Sequence, residues 1–245
     1  MRYGIIADVH SNLEALRAVL DILKEEDIDR FLCLGDIVGY GASPNECVEQ
    51  IRRLKSEVVI GNHEWGVLHP EILPFFNPVA RQAIEWTRKE LFWENLKYLS
   101  GLEVVKENEL FSMVHSSLYE PTGWHYIFSA EKAELSFSRM KGMICFFAHS
   151  HQAVIYSKYR QERCRGFAFP EGGEMFIEED HRYLINPGGV GQPRDGNPQA
   201  SFAIYDTELK KVEIRRCDYD IDKAKQKILK AGLPSFLAER LAYGV

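Results

Sequence analysis

Cysteine is scarce in this chain. Its 245 residues hold only Cys33, Cys47, Cys145, Cys164 and Cys217, an odd number with no CxxC pair. That excludes a thiolate zinc ribbon and argues against a disulfide framework. Three of the five lie inside apolar segments, so they read as reduced thiols of a cytoplasmic protein. Long apolar runs are missing too: stretches such as Met143 to Ala148 are far too short to span a membrane. The opening run from Met1 reaches Asp8 too early for a secretory leader. There is no basic excess, since 30 Lys and Arg face 36 Asp and Glu for a net charge of −6. A surface built to coat nucleic acid is therefore not expected, although a local basic cleft stays open. Low-complexity tracts and an obvious linker are also lacking, which predicts one domain over residues 1–245. With 45% hydrophobic residues, a chain of this length can build a core without covalent staples.

What is present begins with a rhythm. Tyr3 to Ala7 is a short apolar run that predicts a buried strand ending at Asp8. Ser11 to Glu14 reads as a capping box, followed by Leu13, Leu16, Leu20 and Leu23 at helical spacing. Phe31 to Leu34 repeats the strand and ends at Gly35-Asp36, and Ser43-Pro44-Asn45-Glu46 opens a second helix. Val58 to Ile60 is a third strand, ending at Gly61-Asn62. Successive βα units predict a largely parallel sheet with helices on its faces.

Residues 65–100 depart from this rhythm. They read as a helical insertion or lid over the site, with ordinary core helices as the alternative. Trp86 and Trp93 are one heptad apart, which predicts one buried helix face. Phe75 and Phe76 are read with them as core rather than as base-stacking rings. Beyond Leu102, β character dominates, with strands expected near 103–105, 110–114, 143–147, 153–156, 174–177, 183–185, 202–205 and 211–215. Lys223 to Leu229 predicts a helix stopped by Gly232-Leu233-Pro234, with a last short helix beyond.

The chemistry collects at strand ends. Asp8-Val9-His10, Gly35-Asp36, Gly61-Asn62-His63-Glu64, His115 and His149-Ser150-His151 each follow a predicted strand. The carboxyl ends of strands are where α/β sheets bind ligands, so five such ends bearing Asp, Asn and His converge if the strands run parallel. Asp8, His10, Asp36, Asn62, His115, His149 and His151 form a nitrogen and oxygen donor set. It suits manganese, and also iron, zinc, cobalt or nickel, better than calcium. Seven donors fit two divalent ions. Such a pair needs a bridging anion, and Asp36 is the candidate.

In order and spacing these blocks resemble the five-block signature of calcineurin-like metallophosphoesterases. Gly35-Asp36-Ile37-Val38-Gly39-Tyr40-Gly41, Asn186-Pro187-Gly188-Gly189-Val190-Gly191-Gln192-Pro193-Arg194-Asp195 and Gly232-Leu233-Pro234 are similar to a small prokaryotic branch of that superfamily. The resemblance implies an α/β sandwich of two mixed sheets flanked by helices. It also implies a division of ligands: Asp8, His10, Asp36 and His151 for one ion, and Asp36, Asn62, His115 and His149 for the other. His63 falls where the superfamily keeps a leaving-group acid. The implied reaction is hydrolysis of a small phosphate ester by in-line attack of hydroxide generated at the metal pair.

Departures from the family pattern narrow the activity. Gly39-Tyr40 stands where phosphoprotein phosphatases carry Asp-Arg, which removes a carboxylate partner for His63 and a phosphate-binding arginine. His115 is followed by Ser116 rather than glycine, Ala148 replaces a glycine, and no arginine follows the fourth block at 117–120. A phosphodiester of nucleotide type is therefore the expected substrate. A phosphomonoesterase or protein phosphatase, a dinucleoside polyphosphate hydrolase and a non-catalytic scaffold are the rivals, the last disfavoured by a full ligand set. Arg194 is the candidate phosphate clamp. His125 is read as a packed or surface residue, and His69 and His181 are given no role. Nucleic acid and self-association stay open as partners.

Overall fold

Short apolar runs bounded by turn residues become strands buried on both faces. A computed structural model describes all residues, 1–245. The first half holds β1 (Arg2–Ile6), α1 (Leu13–Lys24), β2 (Arg30–Cys33), α2 (Pro44–Arg53), β3 (Glu57–Val58), α3 (Asn62–Leu68), α4 (Pro78–Glu90) and α5 (Trp93–Leu99). There follow β4 (Val105–Glu107), β5 (Ser112–Val114), α6 (Ala130–Phe137), β6 (Ile144–Phe146), β7 (Ala153–Tyr159), β8 (Arg165–Ala168) and β9 (Gly173–Phe176). The chain closes with β10 (His181–Pro187), β11 (Ala200–Asp206), β12 (Lys211–Cys217), α7 (Ile221–Lys230) and α8 (Ser235–Glu239).

Two six-stranded mixed sheets result, ordered β3-β2-β1-β11-β12-β9 and β4-β5-β6-β10-β7-β8. The expected parallel pairing holds locally: β1, β2 and β3 are parallel in one sheet, and β5, β6 and β10 in the other. The remaining pairs are antiparallel. Side-chain alternation builds the layers. Ile5, Leu32, Met113, Phe146, Ile185 and Ala203 meet between the sheets. Their strand neighbours Ile6 and Cys33 face α1 and α2, while Cys145 and Leu184 face α6. All five cysteines are buried and unpaired. No helix is long and apolar enough to cross a membrane.

Some local expectations change. The cap of α1 is Asn12 rather than Ser11: its Oδ1 accepts from the Ala15 amide at 3.2 Å, while its Nδ2 donates to the Gly191 carbonyl at 2.9 Å. Trp86 and Trp93 do not share a helix face. The chain turns between α4 and α5 at Leu91-Phe92, leaving Trp86 half-buried and Trp93 72% exposed. Phe75 is not core either, at 89% exposure. Segment 65–100 nevertheless contributes core through Leu73, Ile84, Leu91 and Leu99. A helix can bury one face against a sheet and turn another side toward a cleft, and Ala80 of α4 lines the cleft described below.

Candidate metal centre

The five strand ends converge because the parallel strands of both sheets deliver their carboxyl ends to the same edge of the sandwich. Asp8 and His10 follow β1, Asp36 follows β2, Asn62 opens α3 after β3, His115 follows β5, and His149 and His151 lie between β6 and β7. All seven expected ligands come together and all are buried. The local backbone is unusual. Asp8, His10, Asp36, His149 and His151 all take left-handed φ values, from +47° at His10 to +70° at His149. Each such residue costs about 1–3 kcal/mol, so the surrounding structure must over-determine the positions.

Backbone hydrogen bonds supply that determination. The Asp36 amide (2.8 Å), the Gly61 amide (2.9 Å) and the Val38 amide (2.9 Å) all donate to the buried Glu64 carboxylate. Glu64 thus ties the β2 loop to the start of α3. Gly61 fits only without a side chain, because a Cβ there would meet Asp36 Oδ1 at 2.1 Å. Across the cleft, loop 186–195 braces the second sheet. Asn186 Nδ2 donates to the Ala148 carbonyl and Ser150 Oγ, each at 3.0 Å, and the Arg194 amide donates to the His151 carbonyl at 3.1 Å.

The histidines are oriented the same way. One ring nitrogen of each donates to a main-chain carbonyl: His10 Nδ1 to Val38 (3.2 Å), His115 Nδ1 to Leu34 (2.7 Å), His149 Nε2 to Trp124 (3.0 Å) and His151 Nδ1 to Gln192 (2.6 Å). A carbonyl only accepts, so a proton sits on that nitrogen, and in the neutral ring the other nitrogen presents a lone pair. Those second nitrogens face one another. His10 Nε2 and His151 Nε2 are 3.1 Å apart, and His115 Nε2 is 3.2 Å from His149 Nδ1 and 3.1 Å from Asn62 Oδ1. Both carboxylate oxygens of Asp8 are buried with no hydrogen-bond partner. Acceptors crowded in this way require positive charge between them.

The donors form two groups that share one residue. Asp8, His10, Asp36 and His151 make one, and Asp36, His115 and His149 the other, with ligand atoms in each within 4.8 Å of one another. Asp36 Oδ2 is 3.6 Å from His10 Nε2 and 3.3 Å from His115 Nε2. Its Oδ1 accepts from the His63 amide at 2.9 Å. The chemistry of this donor set fits two divalent cations bridged by Asp36. The proton equilibria divide the donors into those that hold a proton in the metal-free protein and those that do not. Burial pushes the Asp8 carboxyl up to about 7. Burial pulls the His115 imidazole down, but Asp36 and then Asp8 outweigh it, and its pKa rises to about 9. Burial, before any neighbour, holds His10, His149 and His151 well below the usual imidazole range, so they are neutral donors at pH 7.

His63 and Arg194 both line the cleft that opens on this cluster, which has a volume of about 440 Å³. The His63 ring lies 4.7 Å from that of His10 and 4.4 Å from that of Tyr40. Its Nδ1 is buried without a partner against Gly39, where φ is +91° and a Cβ would meet Nδ1 at 2.0 Å. Burial lowers its pKa to about 4. Arg194 donates through Nε (3.2 Å) and Nη2 (2.7 Å) to Gln192 Oε1, and its guanidinium carbon lies 5.6 Å from the Tyr40 ring centroid. His125, His69 and His181 stay outside, each beside an acidic residue: Glu120, Glu71 and Glu178.

Sequence reading gave no role to Glu64, although a glutamate three residues after the helix cap is the signal of a capping box. It also missed Trp124 and Tyr126 in the β5–α6 loop, which has no periodicity to read. The Trp124 carbonyl orients His149, and the Tyr126 ring stacks on the His149 ring at 4.0 Å.

Known proteins share this architecture. The chain is 45% identical to an uncharacterized protein of Methanocaldococcus jannaschii, covering 98% of this chain and 97% of that one. A metallophosphoesterase from Sphaerobacter thermophilus is 40% identical and superposes with a TM-score of 0.88 over 100% of both chains. A Pyrococcus horikoshii protein with 20% identity has the same fold, with a TM-score of 0.79 over 100% of this chain and 98% of that one. Residues 1–210 match the calcineurin-like phosphoesterase superfamily domain, and the chain belongs to that superfamily.

Proposed function

We propose that this protein hydrolyses phosphodiesters at a pair of divalent cations. One cation is held by Asp8, His10, Asp36 and His151, the other by Asp36, Asn62, His115 and His149. The observation that carries the reading is the pair of ligand groups sharing Asp36, with four imidazoles already oriented inward by main-chain carbonyls. When bound, two such cations draw a nucleophile from water at neutral pH and offset negative charge on the phosphoryl oxygens. Manganese is the metal we favour.

The remaining residues bind and orient. Arg194 is the only arginine or lysine lining the cleft, and Gln192 holds one edge of its guanidinium. One guanidinium beside two cations suits a phosphodiester, which carries a single charge. A phosphomonoester dianion or a polyphosphate calls for more. His63 keeps Nδ1 against Gly39, so Nε2 is the nitrogen left for substrate. The low pKa makes the resting ring neutral. We assign Nε2–H as a hydrogen-bond donor to the leaving oxygen, a bond that strengthens as negative charge develops there while the proton stays on the imidazole.

The test compares bis-p-nitrophenyl phosphate with p-nitrophenyl phosphate on manganese-loaded protein. Diester turnover that exceeds monoester turnover is the expected result. A monoester preference would reassign the protein as a phosphatase, and turnover of neither would leave the reading without support.

A further inference from the structure

The cleft has a second wall that the metal chemistry does not use. Phe75 and Phe76, from the turn before α4, line it together with Trp65 of α3 and with Trp124 and Tyr126 of the β5–α6 loop. All of these rings except Phe75 are held in place relative to the ligand cluster by ring contacts. The Phe76 ring meets the His63 ring edge-on at 6.0 Å, and Trp65 lies 6.0 Å from Trp124. Trp124 takes a left-handed φ of +52°, an uncommon conformation for a bulky residue, and its carbonyl accepts from His149. Phe75 is 89% exposed and Tyr126 42% exposed, so ring surface faces solvent inside a cleft of about 440 Å³. That volume lies within the range of roughly 300–1,000 Å³ typical of small-molecule sites.

We infer that this aromatic wall is a base-stacking subsite, and that the substrate is a phosphodiester with at least one nucleoside arm. The inference rests on the phosphodiesterase reading above and names the substrate class. A nucleobase presents a flat π face that aromatic side chains accept whatever the base. A short alkyl arm offers no flat face to such surfaces. A quaternary ammonium arm also favours aromatic rings. Here, however, Arg194 places like charge in the same cleft, and its only carboxylate, Asp36, belongs to the ligand cluster.

Adenosine 5′-monophosphate and ribose 5-phosphate differ only by the base, so their affinities isolate it. Isothermal titration of both into metal-loaded protein should show the nucleotide binding on the order of tenfold more tightly. Phe75→Ala should narrow that ratio to about threefold or less, and Phe75→Tyr should restore it. Because Phe75 is exposed, its replacement leaves the core intact. Bis-p-nitrophenyl phosphate turnover is measured on the same samples. Equal affinities with that turnover intact would overturn the subsite and leave the phosphodiesterase reading standing. Phosphocholine binding more tightly than the nucleotide would overturn the subsite in favour of a cation cage. A base preference with no diester turnover would support the subsite and overturn the phosphodiesterase reading.

Discussion

The two walls of the cleft are built on opposite plans. The metal wall is buried, left-handed in backbone and fixed by hydrogen bonds: four imidazoles end on carbonyls, and Glu64 alone accepts from three amides. The aromatic wall is half-open: Trp65 and Trp124 meet at a tilt, and other ring contacts reach the site's imidazoles edge-on or stacked. Strain and burial are sustained where charge must be placed within a few tenths of an ångström. Looser ring surfaces suffice where the requirement is to select an organic arm. Substitutions in the first wall should therefore act on metal content and kcat, and those in the second on KM.

The largest effect is expected at the shared ligand. Asp36→Asn should abolish detectable turnover, because the amide cannot supply a charged bridge. A folded variant with wild-type rates would place the bridge elsewhere. Next comes His63→Ala, expected to slow diesters with alkyl leaving groups by about 10²-fold. Aryl esters with good leaving groups should lose much less. Equal slowing of both would leave His63 as a packing or charge-stabilising residue.

Glu64→Gln tests whether positioning alone matters in the metal wall. The amide group would set a donor against at least one of the three backbone amides that Glu64 now accepts from. Metal affinity should fall by about 10–100-fold. Unchanged affinity would show that the β2 loop holds itself. Arg194→Ala belongs to the boundary between the walls. It should raise KM by on the order of tenfold, the worth of one charge-assisted hydrogen bond, with little change in kcat.

A milder perturbation is pH. At pH 7 the metal-free protein holds a proton on His115, whose pKa is about 9, and part of one on Asp8, whose pKa is about 7. A cation must displace both, so manganese binding should release protons at pH 7, and affinity should rise as pH rises from 6 to 8. Calorimetry in buffers of different ionisation enthalpy reads the release directly. A pH-independent affinity would mean that these groups are already deprotonated in the free protein.

The two walls were also unequally legible in the sequence. The metal wall could be read because its donors follow short apolar strands, and strand polarity in the βα units fixed where they would meet. Even there, the left-handed φ at five ligands and the carbonyl that orients each histidine leave no trace in residue type. The antiparallel strands were found from apolar runs, except β8, an edge strand with all four residues exposed and no buried face to impose a pattern. α6 went unseen as well. The aromatic wall was misread outright at Phe75, because an aromatic residue in a helical region signals burial whether it faces a core or a ligand. The heptad between Trp86 and Trp93 misled for a related reason: spacing implies a shared face only if one helix is continuous, and here the chain turns at Leu91-Phe92.

Counting ions on the protein addresses the shared-ligand arrangement most directly. Native mass spectrometry during manganese titration should show two ions per wild-type chain, one in His151→Ala, where the second group is intact, and weakened binding of both in Asp36→Asn. A wild-type chain that saturates with one ion, or an Asp36→Asn chain that keeps two with full activity, would contradict a bridged pair.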